Sequence, residues 1–259
     1  MVNILTLKWG TLYSASYVNR VYRAVKKNLH RPFRFVCITD DATGLDEGID
    51  AQPIPEKPKE FIDTPRYSGW PNIYIKIALF KDGCADLKGP TLFLDIDQII
   101  TGELDSFFDY KPGEFCIVHN WIELRKRLFR KRPFVGNSSC FRFEAGKMGY
   151  VYEKWLKELP ESLDTSIYQT EQAYMTHAVG EENVNWWPDE WVTSFKRSCQ
   201  WMWPLNHFLV PKLRKNTKIL CFHGYPNPDQ AIAGYKGKHL NTWVKPCAWV
   251  KELWEVNDK

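Results

Sequence analysis

Several absences narrow this sequence before any motif is considered. None of its seven cysteines forms a C-x-x-C pair, which removes the common zinc and dithiol-redox patterns. They are odd in number and widely spread, so no disulfide framework is indicated and a reducing compartment is expected. Several sit in apolar runs, "FVCI", "EFCIV" and "ILCF", where a thiol acts as a small buried hydrophobe. No apolar run approaches the roughly 18 residues of a membrane span. The start, "MVNILTLKWG", has no basic segment followed by a long apolar one, and a soluble, cytoplasmic location is expected. Internal repeats, clear linkers and extended low-complexity segments are also missing.

What is present is ordinary globular composition. With 259 residues, 44% hydrophobic and 25% charged, the chain has enough apolar surface for a substantial core and reads as one large globular domain or two small ones; with no clear linker, a single domain over 1–259 is expected. A net charge of +4 suits an anionic ligand but falls short of a dedicated nucleic-acid binder, so no nucleic-acid partner is expected.

Short branched apolar runs alternate with segments of helical period through the first hundred residues, the pattern of βαβ units and a mainly parallel sheet flanked by helices, an α/β fold. "NILTLKW" reads as the first strand. Val18, Val21, Tyr22, Val25 and Leu29 then recur at helical spacing from a cap at Ser14 or Ser16, until Pro32 forbids continuation. "FRFVCIT" is the next strand, running into Asp40 and Asp41, and the Pro-rich "PIPEKPKEFIDTP" is a loop. "NIYIKIALF" reads as a short helix and "TLFLDID" as a third strand. Further strands are expected at "EFCIVH", "SSCFRF" and "KILCFH", with helices near 146–158 and 169–179.

The stretch "LFLDIDQII" carries Asp95 and Asp97 inside an apolar run. A chain this rich in Asp contains about one Asp-x-Asp by chance. Demanding apolar residues at 92, 93, 94 and 96 lowers that expectation to roughly 0.03, which makes the context informative. Alternate strand residues share a face, so both carboxylates are expected to project together near the strand's carboxyl end, where open α/β sheets bind ligands. Two close carboxylates repel and are costly to desolvate unless a proton or cation joins them. Hard oxygen donors suit Mn²⁺ or Mg²⁺ bridged to substrate phosphates. A plainer alternative is that the pair ends a strand and caps the next turn.

Taken with its flanks, the sequence resembles the metal-dependent GT-A glycosyltransferases, a Rossmann-like nucleotide-diphospho-sugar transferase fold, and within them family 8, the glycogenin and bacterial lipopolysaccharide glycosyltransferase group. "LFLDIDQIITGELDSFFD" is similar to that family's D-x-D strand and the short helix after it. The resemblance implies that Asp95, Ile96 and Asp97 line the metal and donor site, with Asp95 and Asp97 as metal ligands. It also implies that His223 in "KILCFHG" is the third ligand and that Gly224 lines the site. "TLKWGTLYSASYV" resembles the family's first strand and helix start, which implies that Leu7 and Lys8 lie along a base and that Tyr13 stacks on it. Asp40 falls with these nucleotide-binding residues. "NIYIKIALF" resembles the helix delivering a basic residue, Lys76, to the phosphates or donor sugar. A Lys among Ile, Tyr and Ala is not expected to be buried without an anionic partner. "VGNSSCFRF" is similar to the N-S-G strand, placing Asn137 and Ser138 near the donor sugar. "TEQAYMTHA" resembles the D-Q helix start, giving Glu171 and Gln172 as catalytic residues with Lys76.

On this resemblance residues 1–110 form a nucleotide-binding half, 111–224 an acceptor half and 225–259 a C-terminal wrap. The implied reaction is transfer from a nucleotide-sugar donor, a UDP-sugar, to a saccharide or glycolipid acceptor, with Mn²⁺ or Mg²⁺ and retention at the anomeric carbon. The chain departs from the pattern in two places. Glu171 stands where Asp is usual, and "FHGYPNPDQ" lacks the Lys that normally follows the His, which leaves Lys236 and Lys238 as substitutes.

Other features carry weaker meanings. "RKRLFRKR", residues 125–132, is the densest basic cluster and reads as a solvated loop or as a contact with an anionic acceptor or the inner face of a membrane. "NWWPDEWVTSFKRSCQWMWP" holds five tryptophans, expected mostly in the core with one or two beside an acceptor. Two other function classes remain open. An aspartyl-phosphate hydrolase would use Asp95 as nucleophile, although no late acidic pair answers it; a non-catalytic sugar-binding module would need neither metal nor nucleotide.

Overall fold

The computed structural model describes residues 1–122, 126 and 129–256. Its main sheet has seven strands in the order β3-β2-β1-β4-β7-β6-β8. The first is β1 (Val2–Lys8), buried along its whole length, as a central strand covered on both faces must be. Helix α1 (Ala15–Asn28) follows from an N-cap at Ser14. Its apolar stripe, Val18, Val21, Tyr22 and Val25, packs on one face of the sheet, and Lys26 and Lys27 sit favourably at its carboxyl end. Strands β2 (Phe33–Thr39) and β3 (Ile49–Gln52) extend the sheet in parallel.

Helix α2 is a single turn, Ile75–Ala78. Strand β4 (Gly89–Leu94) pairs in parallel with β1 and antiparallel with the ten-residue β7 (Gly136–Ala145). Because β7 runs against β4, its first residues lie beside the carboxyl end of β4, with Cys140 opposite Leu94. That reversal brings Asn137 and Ser138 to the aspartates. Strand β6 (Cys116–His119) pairs with β7 and with β8 (Asn185–Trp186).

A second sheet has the order β5-β10-β9, with β5 (Ile99–Ile100), β9 (Val192–Ser194) and β10 (Ile219–Cys221). The chain therefore leaves one sheet at Leu94 and joins another at Ile99, with the aspartates in the turn between them. This corrects the expectation that Asp95 and Asp97 lie on the strand. They still lie at the carboxyl end of β4, as expected, immediately after Leu94.

Alternating strand residues build two cores. Ile4, Phe35, Cys37, Leu92 and Leu94 face α1, and residues from the C-terminal segment, including Val250 and Trp254, join that side. Leu5, Val36, Phe93 and Phe141 face α2 and the helices Gly149–Lys157 and Glu171–Val179. All seven cysteines are free, six of them buried. Among the described residues no helix is long and apolar enough to cross a membrane.

Candidate active site at the carboxyl edge of the sheet

Lys76 is the first anchor. It lies between Ile75 and Ile77, both packed in the second core, and is itself buried. Its Nζ meets the Oδ1 of Asp95 at 2.7 Å and donates to the Ser138 carbonyl at 3.2 Å. Burial alone would lower the ammonium's pKa, but the carboxylates of Asp95 and Glu171 outweigh it and raise it above the ordinary lysine value. The lysine thus has the anionic partners its apolar setting demands.

Glu171 opens the helix Glu171–Val179, whose Thr170 cap accepts from the Ala173 N–H. Its buried carboxylate accepts from Ser138 Oγ at 2.7 Å. Burial pushes its pKa up, and Lys76 and the Ser138 hydrogen bond only partly offset that. The Ser138 N–H donates to Gln172 Oε1 at 3.3 Å. One β7 serine therefore ties Lys76, Glu171 and Gln172 together. Asn137 supports the same edge, its Oδ1 accepting from the Ser139 N–H at 3.1 Å, while the Ser139 carbonyl accepts from the Asp95 N–H at 3.0 Å.

Asp97 is less well served. Burial and then the Asp95 charge lift its pKa to about 7, with Lys76 and a hydrogen bond from Tyr13 opposing. The Tyr13 hydroxyl is in turn pushed to about 12, by burial and by the two aspartates. Tyr13 also contacts Tyr17, ring centroids 4.7 Å apart. Ile96, between the aspartates, points into the α1 core.

The first and second strands end beside this turn. Leu7 and Lys8 finish β1, both buried, and Lys8 Nζ reaches the Asp41 carbonyl at 3.4 Å. Asp40 is exposed and accepts from the Gly10 N–H at 2.9 Å, linking the two strand ends.

His223 is arranged differently. Its Nε2 lies 2.6 Å from Ser194 Oγ, and its ring stacks on Trp121, centroids 5.4 Å apart and planes 11° from parallel. Burial, then the charges of Arg197 and Lys196, drop its pKa to about 4, so the imidazole is neutral at pH 7. Among the described residues no group of three or more His, Cys, Asp or Glu is gathered closely enough to hold a metal. His223, just beyond β10, is instead engaged by Ser194 and Trp121. Gly224 follows it, exposed and with φ +70°. Lys236 sits over the Trp243 ring.

Sequence patterns did not single out Gln98, Ser139, Ser194 or Trp121 as site residues. Gln98 is buried and donates to the Ser139 carbonyl at 2.5 Å and to Cys221 Sγ at 3.3 Å, joining both sheets behind the aspartate turn. Its polarity within "LFLDIDQII" was the available signal. Of the five tryptophans in the aromatic segment, Trp187 is buried, Trp186 and Trp191 pack against the two cores, and Trp201 and Trp203 are 39% and 61% exposed, so most lie in the core as expected. In the basic run, Arg125, Arg127 and Leu128 lie outside the described residues. Arg132 is braced by Asp189 at 2.8 Å.

No family model matches the sequence, and no curated protein matches it. Solved structures do match. The galactosyltransferase LgtC, solved with donor and acceptor sugar analogues, aligns over 99% of this chain and 95% of its own, with TM-score 0.61 and 14% identity. The glycosyltransferase GlyE of Streptococcus pneumoniae aligns over 99% of this chain and 61% of its own, with TM-score 0.59 and 10% identity. The bifunctional WbbM aligns over 88% and 46%, with TM-score 0.53 and 12% identity. The chain has the GT-A glycosyltransferase fold, with its charged network at the carboxyl edge of the parallel strands.

Proposed function

We propose that this protein is a glycosyltransferase that moves a sugar from a nucleotide-sugar donor, a UDP-sugar, to a saccharide or glycolipid acceptor. The observation that carries the reading is the Lys76–Asp95–Ser138–Glu171 network in a GT-A fold. A buried ammonium beside an acidic turn suits a site where phosphate charge and a divalent cation meet.

Asp95 and Asp97 would hold Mn²⁺ or Mg²⁺. Their donor set fits: two hard carboxylates, one of them held near pKa 7 by burial and its neighbour's charge, gain most from a cation. When bound, such an ion supplies Lewis-acid stabilisation of the leaving diphosphate. Lys76 adds fixed positive charge at the same edge and stabilises the charge that develops when the bond from anomeric carbon to phosphate oxygen breaks. Glu171, Gln172, Asn137 and Ser138 orient the donor sugar's hydroxyls. Tyr13, Leu7, Lys8 and Asp40 form the base side. His223 and Gly224 form the opposite wall, His223 entering as a neutral ring. Retention at the anomeric carbon belongs to the same reading.

The test is a panel of nucleotide sugars monitored for nucleoside diphosphate release with Mn²⁺ and with EDTA. Metal-dependent release from one donor supports the reading. Turnover of p-nitrophenyl phosphate that depends on Asp95, with no nucleotide-sugar cleavage, would favour the phosphatase instead.

A further inference from the structure

A second surface, built on the segment after β9, has its own chemistry. From Trp191 to Pro228 the chain has no Asp or Glu, and Lys212, Arg214 and Lys215 are exposed within it, whereas Lys218 is engaged by Glu103 and Lys196 and Arg197 act on His223. Within that stretch Phe208 is 74% exposed, Trp203 61% and Met202 53%. Trp201, Leu205 and Val210 are exposed beside them. Isolated apolar residues on a surface are ordinary, but a contiguous aromatic and aliphatic group marks an interaction site.

The segment is held in place rather than loose. Trp201 Nε1 donates to the Val210 carbonyl at 2.9 Å, and the Lys212 N–H donates to the Cys199 carbonyl at 3.0 Å. The buried Asn206 Nδ2 reaches the Leu240 and Trp243 carbonyls at 2.9 and 3.0 Å. These bonds anchor the segment's backbone to the body of the protein. A cavity of about 520 Å³ opens within this segment, its walls including Trp201, Met202, Leu205 and Leu213, with Lys212 and Lys215 also lining it.

We infer that this face docks the protein on an anionic lipid bilayer. Exposed Trp, Phe and Leu in the same segment as exposed Lys212, Arg214 and Lys215, a segment with no acidic residue of its own, match the two needs of interfacial binding: apolar side chains to enter the headgroup boundary and cations to meet lipid phosphates. An acidic soluble partner would satisfy the charge but would leave the aromatic group without a role. A second copy of the chain would bring the same positive charge against itself. The face begins at Trp201, seven residues beyond Ser194, the residue that holds His223. The inference stands whatever reaction the cleft performs.

The test is co-sedimentation of the full chain with vesicles of phosphatidylglycerol and phosphatidylcholine, compared with phosphatidylcholine alone. The wild type is expected to bind the anionic vesicles, with affinity falling steeply as salt rises. Trp203→Ser with Phe208→Ser is expected to weaken binding by about tenfold or more. Lys212→Gln and Lys215→Gln should each weaken it about fivefold. All four positions are exposed, and unchanged melting temperatures would verify the fold. Absence of binding, equal binding to neutral vesicles, or undiminished binding by both sets of variants overturns the inference. So would a stable dimer that the Trp203→Ser, Phe208→Ser pair dissolves.

Discussion

Asp105 and Asp97, eight positions apart in the sequence, show two opposite fates for a carboxylate in the same fold. Burial would raise Asp105, but Arg31 Nε at 2.8 Å, the His30 N–H at 3.0 Å and His30 Nδ1 at 2.8 Å outweigh it and pull its pKa to about 2. It braces the end of α1 against the short helix α3 (Ser106–Asp109). Asp97 has Tyr13 for a donor, feels Asp95 beside it, and rises to about 7. A carboxylate fully met by its own chain is structural. One left short of positive charge is where a cation or substrate belongs.

The comparison breaks most visibly at Asp97. Asp97→Asn should lower sugar transfer about 10²- to 10³-fold, yet raise the stability of the protein in EDTA by about 1–2 kcal/mol, or roughly 3–6 °C in Tm. The sign follows from the raised pKa. The folded state holds a proton that the unfolded chain releases above pH 4, so the ionised group opposes folding at neutral pH. Denaturation curves beside kinetics on one sample check both halves.

Lys76→Met should come next, costing about 3 kcal/mol in urea unfolding at pH 7, because it leaves Asp95 and Glu171 without their buried cation. Restoring much of that loss by adding Asp95→Asn would show that the cost comes from the unpaired charge.

Asp105→Asn should cost about 2 kcal/mol at pH 7 while transfer is nearly retained. Here the folded pKa lies below the unfolded one. The contribution is complete above about pH 4 and disappears as pH falls toward 2, so a stability profile over that window should flatten in the variant. The smallest effect is expected at Trp121→Leu, about 1 kcal/mol, from the lost stacking on His223.

The legible parts of the fold were those with long periodic patterns. The α1 stripe, "FRFVCIT" and the buried β1 declared themselves because each spans several residues with one consistent period. The second sheet did not, since its strands, Ile99–Ile100, Val192–Ser194 and Ile219–Cys221, are too short for a period and meet from distant parts of the chain. For the same reason the aspartates were read onto a strand: nothing local says that the chain must leave β4 at Leu94 to pair with β10. Lys76 was legible from its apolar neighbours, which forced a partner. His223 was legible only as a residue after a strand. Its engagement with Ser194 and Trp121 arises from tertiary contacts with β9 and with the end of β6.

The central claim is that Asp95 and Asp97 complete themselves with a divalent ion and a nucleoside diphosphate. Calorimetric titration of UDP tests it most directly, with Mn²⁺, with EDTA, and with Asp97→Asn. The account predicts binding with Mn²⁺ that disappears in EDTA and in the variant. Binding that persists unchanged in EDTA or in the variant, or no binding of any nucleoside diphosphate, would contradict it.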